Sequence, residues 1–201
     1  GKTKKIYSLP DDADVRVESK DDVTAGDGAR RIPVPNKGAH STDVASACFE
    51  LLTERGIPNH YRGRISRTSF CARRLRMIPV ECVARRIATG SLLKRRPDIP
   101  EGTTFGEPLI EFFLKDDARH DPLIIHDFYR RLVRLHDAKA PFGTGLIDER
   151  PIERPVEDVI TELKCLTDLT RRTFLVLEEA WKICHDVTLV DLKIECGRDI
   201  E

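Results

Sequence analysis

MIPVECVARRIATGSLLKRR, residues Met77 to Arg96, changes its period halfway along. In its first half Ile78, Val80, Cys82 and Ala84 alternate with Glu81, Val83 and Arg85, the two-residue repeat of a β-strand. One face of that strand therefore carries a carboxylate and a guanidinium side by side. The second half passes through Thr89-Gly90-Ser91 into the helix-like Leu92-Leu93-Lys94-Arg95-Arg96. Gly90 can take a backbone shape closed to other residues, and Ser91 is expected to cap the helix. A hydroxyl, free helix N–H groups and nearby cations make an anion site, which suggests a phosphorylated small molecule. Many strand-turn-helix joints of this kind hold no ligand, so the residues alone leave both readings open.

The whole chain sets limits on that site. Its 201 residues suffice for one sizeable core or two small domains. With 40% hydrophobic and 34% charged residues it has the composition of a folded soluble protein. Lys+Arg and Asp+Glu both number 34, and this balance argues against a general nucleic-acid or anionic-membrane binder. No apolar run is long enough to span a bilayer, and no signal peptide is visible. The six cysteines (Cys48, Cys71, Cys82, Cys165, Cys184 and Cys196) form no C-x-x-C pair. That disfavours zinc and a disulfide framework and fits a reducing, cytoplasmic setting. A chain opening on Gly1 without Met reads as a fragment.

Working outward, GKTKKIY (residues 1–7) puts Lys2 and Lys4 on one face if it is a strand. Such a face holds a polyphosphate or simply meets solvent. A second strand is expected at Val15 to Glu18, and Gly26-Asp27-Gly28 marks a tight turn that exposes Asp27. Ser41 to Arg55 reads as a helix capped by Ser41 and stopped by Gly56. Short strands are expected between His60 and Arg74, with Met77-Ile78-Pro79-Val80 as a hinge between lobes. Leu109 to Leu114 reads as a strand. The acid-rich Lys115 to Pro122 that follows is either a polar surface loop or, through Asp116, Asp117 and Asp121, part of a magnesium site. His126 to Asp186 reads as mainly helical with a break at Ala140 to Pro155. In TLVDLKIECG, Thr188 to Gly197, Val190, Leu192, Ile194 and Cys196 alternate with Asp191, Lys193 and Glu195. Those three charges either face water or hold a metal and a substrate oxygen.

Five ordered motifs carry a family resemblance: GKTK with Tyr7, TAGDGAR at Thr24 to Arg30, MIPVECVARRIATGSLLKR, FFLKDDARHDP at Phe112 to Pro122, and LVDLKIECG at Leu189 to Gly197. Together they resemble the phosphoribosylaminoimidazole-succinocarboxamide synthase (SAICAR synthetase) family. The IATGS form is similar to the animal bifunctional version, GDGAR and HDP to the bacterial one. The resemblance implies an α+β, two-lobed fold related to ATP-grasp enzymes. Residues 1–76 would be a nucleotide-cradling lobe and 77–201 a substrate and metal lobe. It implies ATP-dependent ligation of the carboxyaminoimidazole ribotide (CAIR) to L-aspartate through an acyl phosphate, in purine synthesis, with Mg2+ and ATP. Lys2, Lys4 and the backbone at Met77 would meet ATP. Asp27, Glu81, Arg85 and Ser91 would form the CAIR site, Asp121 and Glu195 the metal site, and Asp191 and Lys193 the catalytic pair. A homo-oligomer is compatible with it.

The same resemblance implies segments that these residues lack: a partner strand with a second metal-binding acid, an arginine for the substrate phosphate and a closing helix. On that reading the fold is incomplete at its C-terminus. Cys196 also stands where the family has an aromatic. Two rival readings follow. One is a catalytically weakened nucleotide or ribotide-binding module of a purine enzyme complex; the other is a phosphotransferase acting on a different substrate.

Overall fold

The computed structural model describes residues 3–25 and 30–200, and these divide into two compact units. Residues 1–76 with 197–201 form the first, and 77–196 the second.

In the first unit the early strands are β1 (Lys4–Ser8), β2 (Asp14–Ser19), β3 (Asp22–Ala25) and β4 (Arg30–Pro33). Helix α1 (Lys37–Glu54) follows, then β5 (Tyr61–Ser66) and β6 (Ser69–Arg73). An antiparallel sheet runs in the order β1-β2-β6-β5, with β3 and β4 as a separate hairpin. Alternation puts Val17, Phe70 and Ala72 on one sheet face, where Ala45 and Phe49 of α1 cover them. That shared burial, rather than intrinsic propensity, holds the helix in place.

The start of α1 corrects the expectation that Ser41 caps it. The helix begins four residues earlier, so Ser41 is internal. The cap comes from Asp21, whose carboxylate accepts the N–H of Gly38 at 2.8 Å and of Asn36 at 3.3 Å. A side chain arriving from a distant turn can satisfy orphan donors as well as a local one, and local sequence does not reveal it. The expected stop is found. Gly56 takes φ +68, its N–H bonds to Thr53 O and that of Ile57 to Leu52 O, a Schellman closure.

The second unit holds most of β7 (Leu75–Ile87) and of β12 (Asp191–Asp199), and between them α2 (Ser91–Arg95), β8 (Thr104–Leu114), β9 (Leu123–Asp127), β10 (Leu132–His136), β11 (Leu146–Pro151) and α3 (Val156–His185). Its sheet runs β11-β10-β9-β8-β7-β12. Here the mainly helical reading of His126 to Asp186 is wrong before Val156. His126–Asp127 closes β9, and β10 and β11 form an antiparallel hairpin on it. The short run LVRLH satisfies a helical or a strand pattern equally, and Arg131 at φ +56 turns the chain back into the sheet. Only α3 remains helical. It lays Leu166, Thr170, Thr173, Phe174 and Leu177 onto the core.

Both faces of β7 are closed at its centre, where Cys82 and Ala84 are fully buried on the face opposite Glu81, Val83 and Arg85. Arg86 ties α3 to the sheet with a two-pronged pair to Glu178, at 2.6 and 2.7 Å, and donates to the carbonyls of Phe105 and Gly106. Its guanidinium also lies over the Phe174 ring at 5.7 Å. Cys82 lies beside Cys196, and that neighbour together with burial pushes its thiol above the usual range. The described residues thus make an α+β fold of antiparallel sheets and packed helices. Among them no helix is long and apolar enough to cross a membrane.

Candidate active site

Pairing of β7 with β8 places Glu81 opposite Phe113, Val83 opposite Glu111 and Arg85 opposite Leu109. Val83, Phe113 and Leu123 form an apolar floor on this face. Charged groups gather at its two ends. Glu81 and Arg85 are four residues apart on one strand, a spacing of roughly 13 Å.

At the Arg85 end, Nε of Arg85 donates to Glu111 Oε2 at 2.8 Å, Nη1 to Asp191 Oδ2 at 3.3 Å and Nη2 to Ser91 Oγ at 3.5 Å. A second guanidinium, Arg95, donates to Glu111 Oε1 at 2.6 Å, to the Ala138 carbonyl at 2.7 Å and to Ser91 Oγ at 3.3 Å. It also lies 5.2 Å over the Phe113 ring. Arg95 is 3% exposed and Arg85 8%, so both cations need their carboxylate partners.

At the other end Glu81, 5% exposed, accepts from Lys193 at 2.8 Å and lies 3.3 Å from the Lys115 ammonium. Lys115 also reaches Asp117 at 3.2 Å and Asp121 at 3.5 Å. Burial alone would pull the Lys115 pKa down, but these three carboxylates hold it above the usual lysine value. Strand β12 presents Asp191, Lys193 and Glu195 outward and half-buries Leu192, Ile194 and Cys196, the alternation expected from sequence. Arg86 N–H bonds to Val190 O at 2.8 Å, setting Asp191 beside Arg85 and Lys193 beside Glu81.

Glu81, Arg85, Ser91, Asp191 and Lys193 are therefore brought together on one face. Ser91 does so in a different role from the expected cap. Gly90 occupies the cap position and Ser91 is the first residue of a five-residue helix; its hydroxyl faces the two guanidiniums. Asp121 joins the edge of the cluster through Lys115 and accepts the Asp116 N–H at 2.8 Å. Glu195 lies on the same strand face as Lys193. Among the described residues no three His, Cys, Asp or Glu side chains stand together as a metal site. Lys4 sits on β1 in the other unit, with its ammonium 5.9 Å from the Phe70 ring centre, and Met77 is exposed at the start of the second unit. Lys2 and Asp27 lie outside the described residues.

Sequence reasoning missed Glu111, Arg95 and Lys115. The signal for Glu111 was present, since it is the lone acid in the apolar run LIEFFL and faces the same side as Phe113. Nothing local separates buried Arg95 from exposed Lys94 and Arg96. A groove of about 330 Å3 along α3, lined by Phe128, Ile160, Leu163 and Arg171 among others, shares no residue with the charged face.

Comparison with known proteins agrees with the motifs. The family model described as SAICAR synthetase matches residues 1–201. The phosphoribosylaminoimidazole-succinocarboxamide synthase of Roseiflexus castenholzii is 44% identical over 200 residues, spanning 99% of this chain and 71% of the relative. The Homo sapiens bifunctional carboxylase/succinocarboxamide synthetase is 39% identical over 201 residues, all of this chain and 43% of the relative. A type-2 SAICAR synthetase solved in complex with ADP superposes with TM-score 0.78 at 29% identity, covering 99% of this chain and 74% of that one. The Pyrococcus horikoshii type-1 structure gives 0.77 at 28% identity, covering 98% and 75%. With five motifs, one fold and a family match along its whole length, the chain belongs to the SAICAR synthetase family.

Proposed function

We propose that this chain performs ATP-dependent ligation, joining the carboxylate of CAIR to the amine of L-aspartate to form SAICAR, with ADP and phosphate released. The observation that carries this reading is the pair of charged ends on one sheet face: guanidinium and hydroxyl at Arg85 and Ser91 with Asp191 beside them, ammonium and acid at Lys193 and Glu81. That spacing suits a ligand with a phosphate at one end and a carboxylate at the other, and CAIR is such a molecule.

A carboxylate is a poor acyl donor, because oxide is a poor leaving group. Phosphorylation by ATP converts it to an acyl phosphate, and the aspartate amine then displaces phosphate. In this reading Arg85 and Ser91 receive the ribotide phosphate by charge-assisted hydrogen bonds. Asp27 and Glu81 bind elsewhere on CAIR. Glu81 aims the Lys193 ammonium at the reacting carboxylate, where it offsets charge on the transferred phosphoryl group. Asp191 orients the same centre. Lys2 and Lys4 hold the ATP phosphates and the Met77 backbone meets adenine.

Magnesium fits as an ion carried on phosphate oxygens, which needs only one or two protein carboxylates; Asp121 and Glu195 would supply them. When bound it would neutralise phosphate charge.

The test is ADP release that depends on both CAIR and aspartate. Lys193→Ala and Arg85→Ala are each expected to abolish it, and near-normal turnover in either variant overturns the assignment. Binding of CAIR without any ADP formation by the parent chain would favour the weakened binding module, and ADP release without aspartate a phosphotransferase.

A further inference from the structure

We propose that Glu111, on β8, is a positioning residue for the anion site, acting through Arg85. This rests on the reading that Arg85 receives the ribotide phosphate.

The geometry divides the two buried guanidiniums into different roles. Arg95 has its donors taken by Glu111, the Ala138 carbonyl and Ser91, and its face covered by Phe113. Its own carbonyl accepts the Phe142 N–H at 2.7 Å, so backbone and side chain both stitch α2 to the segment after β10. It is a fixed cation, only 3% exposed, whose terminal nitrogens are both engaged within the protein. Arg85 is gripped differently. Glu111 holds only Nε, at 2.8 Å, which turns the Nη1–Nη2 edge toward Ser91 and half-exposed Asp191.

Glu111 is thus one carboxylate bridging two guanidiniums, with a separate oxygen on each. With Asp191 counted, two guanidiniums face two carboxylates, and the Nη1–Nη2 edge of Arg85 is held only by the longer contacts to Asp191 and Ser91, at 3.3 and 3.5 Å, which an incoming anion can replace. The bridge also offsets the repulsion that two adjacent buried guanidiniums would otherwise suffer. It also touches Arg95, but α2 and its Ser91 hydroxyl are anchored separately by the Arg95 bonds to the Ala138 carbonyl and the Phe142 N–H, so the orientation that Glu111 alone sets is that of Arg85. A guanidinium that must be found in one orientation binds phosphate tightly only when something else holds it there.

The experiment is calorimetric binding of CAIR and, separately, ATP to the full chain carrying Glu111→Gln, Arg85→Ala, or both. Glu111→Gln keeps the shape and removes the charge. It is expected to weaken CAIR binding about tenfold to hundredfold, the scale of a lost charge-assisted bond, with the Kd for ATP within about twofold of the parent. In the Arg85→Ala background the same substitution is expected to change the CAIR Kd by less than about twofold, since a residue acting through Arg85 has nothing left to position. Parent-like CAIR binding by Arg85→Ala would sink the phosphate-site reading itself. Weak binding by Arg85→Ala with unchanged binding by Glu111→Gln, or an equal loss in both backgrounds, would overturn the positioning role and leave that reading intact. Should Glu111→Gln fail to fold, Glu111→Gln/Arg95→Met removes the inner pair as a neutral unit. It is expected to fold and to lose at least about tenfold in CAIR affinity; parent-like affinity, or failure to fold here too, overturns the proposal.

Discussion

Lys193 Nζ stands 2.8 Å from Glu81 Oε1, joining two neighbouring strands whose residues are 112 positions apart in the chain. Glu81 is nearly buried while Lys193 is half exposed, and Lys115 approaches the same carboxylate oxygen from β8's end at 3.3 Å. One buried acid therefore organises two partly exposed cations.

Removing one of those lysines and removing both should differ more than additively. Lys193→Ala leaves Lys115 on Glu81 and is expected to cost less than about 1 kcal/mol of stability, because the lost partner is largely exposed. Lys115→Ala with Lys193→Ala strands a buried carboxylate and should cost on the order of 3 kcal/mol. Urea midpoints of the two single variants and the double variant measure the difference, and simple additivity would mean that Glu81 is solvated.

Arg86 is expected to matter for stability and not for ligand binding. Its two-pronged pair with Glu178 pins α3 to the sheet on the face away from the charged cluster. Arg86→Met should lower stability by roughly 2–4 kcal/mol, since Glu178 and two carbonyls lose their donor. Thermal melts give the stability, and a parent-like Kd for CAIR in the same sample would separate this arginine from its neighbour Arg85.

Stability should fall on mild acidification. His60, packed edge-on against Phe49 at 4.9 Å, and His126, stacked on Phe128 at 5.4 Å, both have pKa values lowered by burial, with Lys4 adding to the effect at His60. The unfolded imidazoles take up protons near pH 6.5, before the folded ones do, so protons favour the unfolded chain. The contribution is complete above about pH 7 and is lost as pH drops through the lower folded values. His60→Gln/His126→Gln should show a flatter profile between pH 7 and 5 in denaturant melts; an unchanged slope would assign the acid sensitivity to carboxylates.

Alkylation should sort the cysteines by burial. Cys165 and Cys184 are exposed on α3, whereas Cys82 is fully buried and its thiol is pushed up by Cys196 and by burial. Iodoacetamide at neutral pH is expected to label Cys165 and Cys184 in the native protein and Cys82 only after denaturation. Peptide mass spectrometry reads the order directly, and early labelling of Cys82 would mean that α3 lifts from the sheet.

The remote cap offers a smaller effect. Asp21→Ala should cost about 1 kcal/mol, as loss of an N-cap does, although residue 21 is sixteen positions before the helix. Gly38→Ala should cost more, because Gly38 is buried and a Cβ there would lie 2.7 Å from the Ser19 carbonyl oxygen. Far-ultraviolet melts of the two variants test both.

Alternation alone was enough to read β7 and β12 and to say which of their charges share a face, because a strand repeats every two residues whatever surrounds it. The ordered motifs likewise carried the family, and with it an α+β fold. What periodicity could not settle was the identity of short segments such as LVRLH, where one hydrophobic spacing serves two structures and only the partners β9 and β11 choose between them. Nor could it separate a capping serine from one that faces two arginines, or a buried Arg95 from the exposed cations beside it. Those distinctions depend on contacts between residues far apart in the chain. Glu111 to Arg85 and Arg95, Asp191 to Arg85 and Lys193 to Glu81 exist only after the sheet has formed, so tertiary structure decided how the charged face is wired.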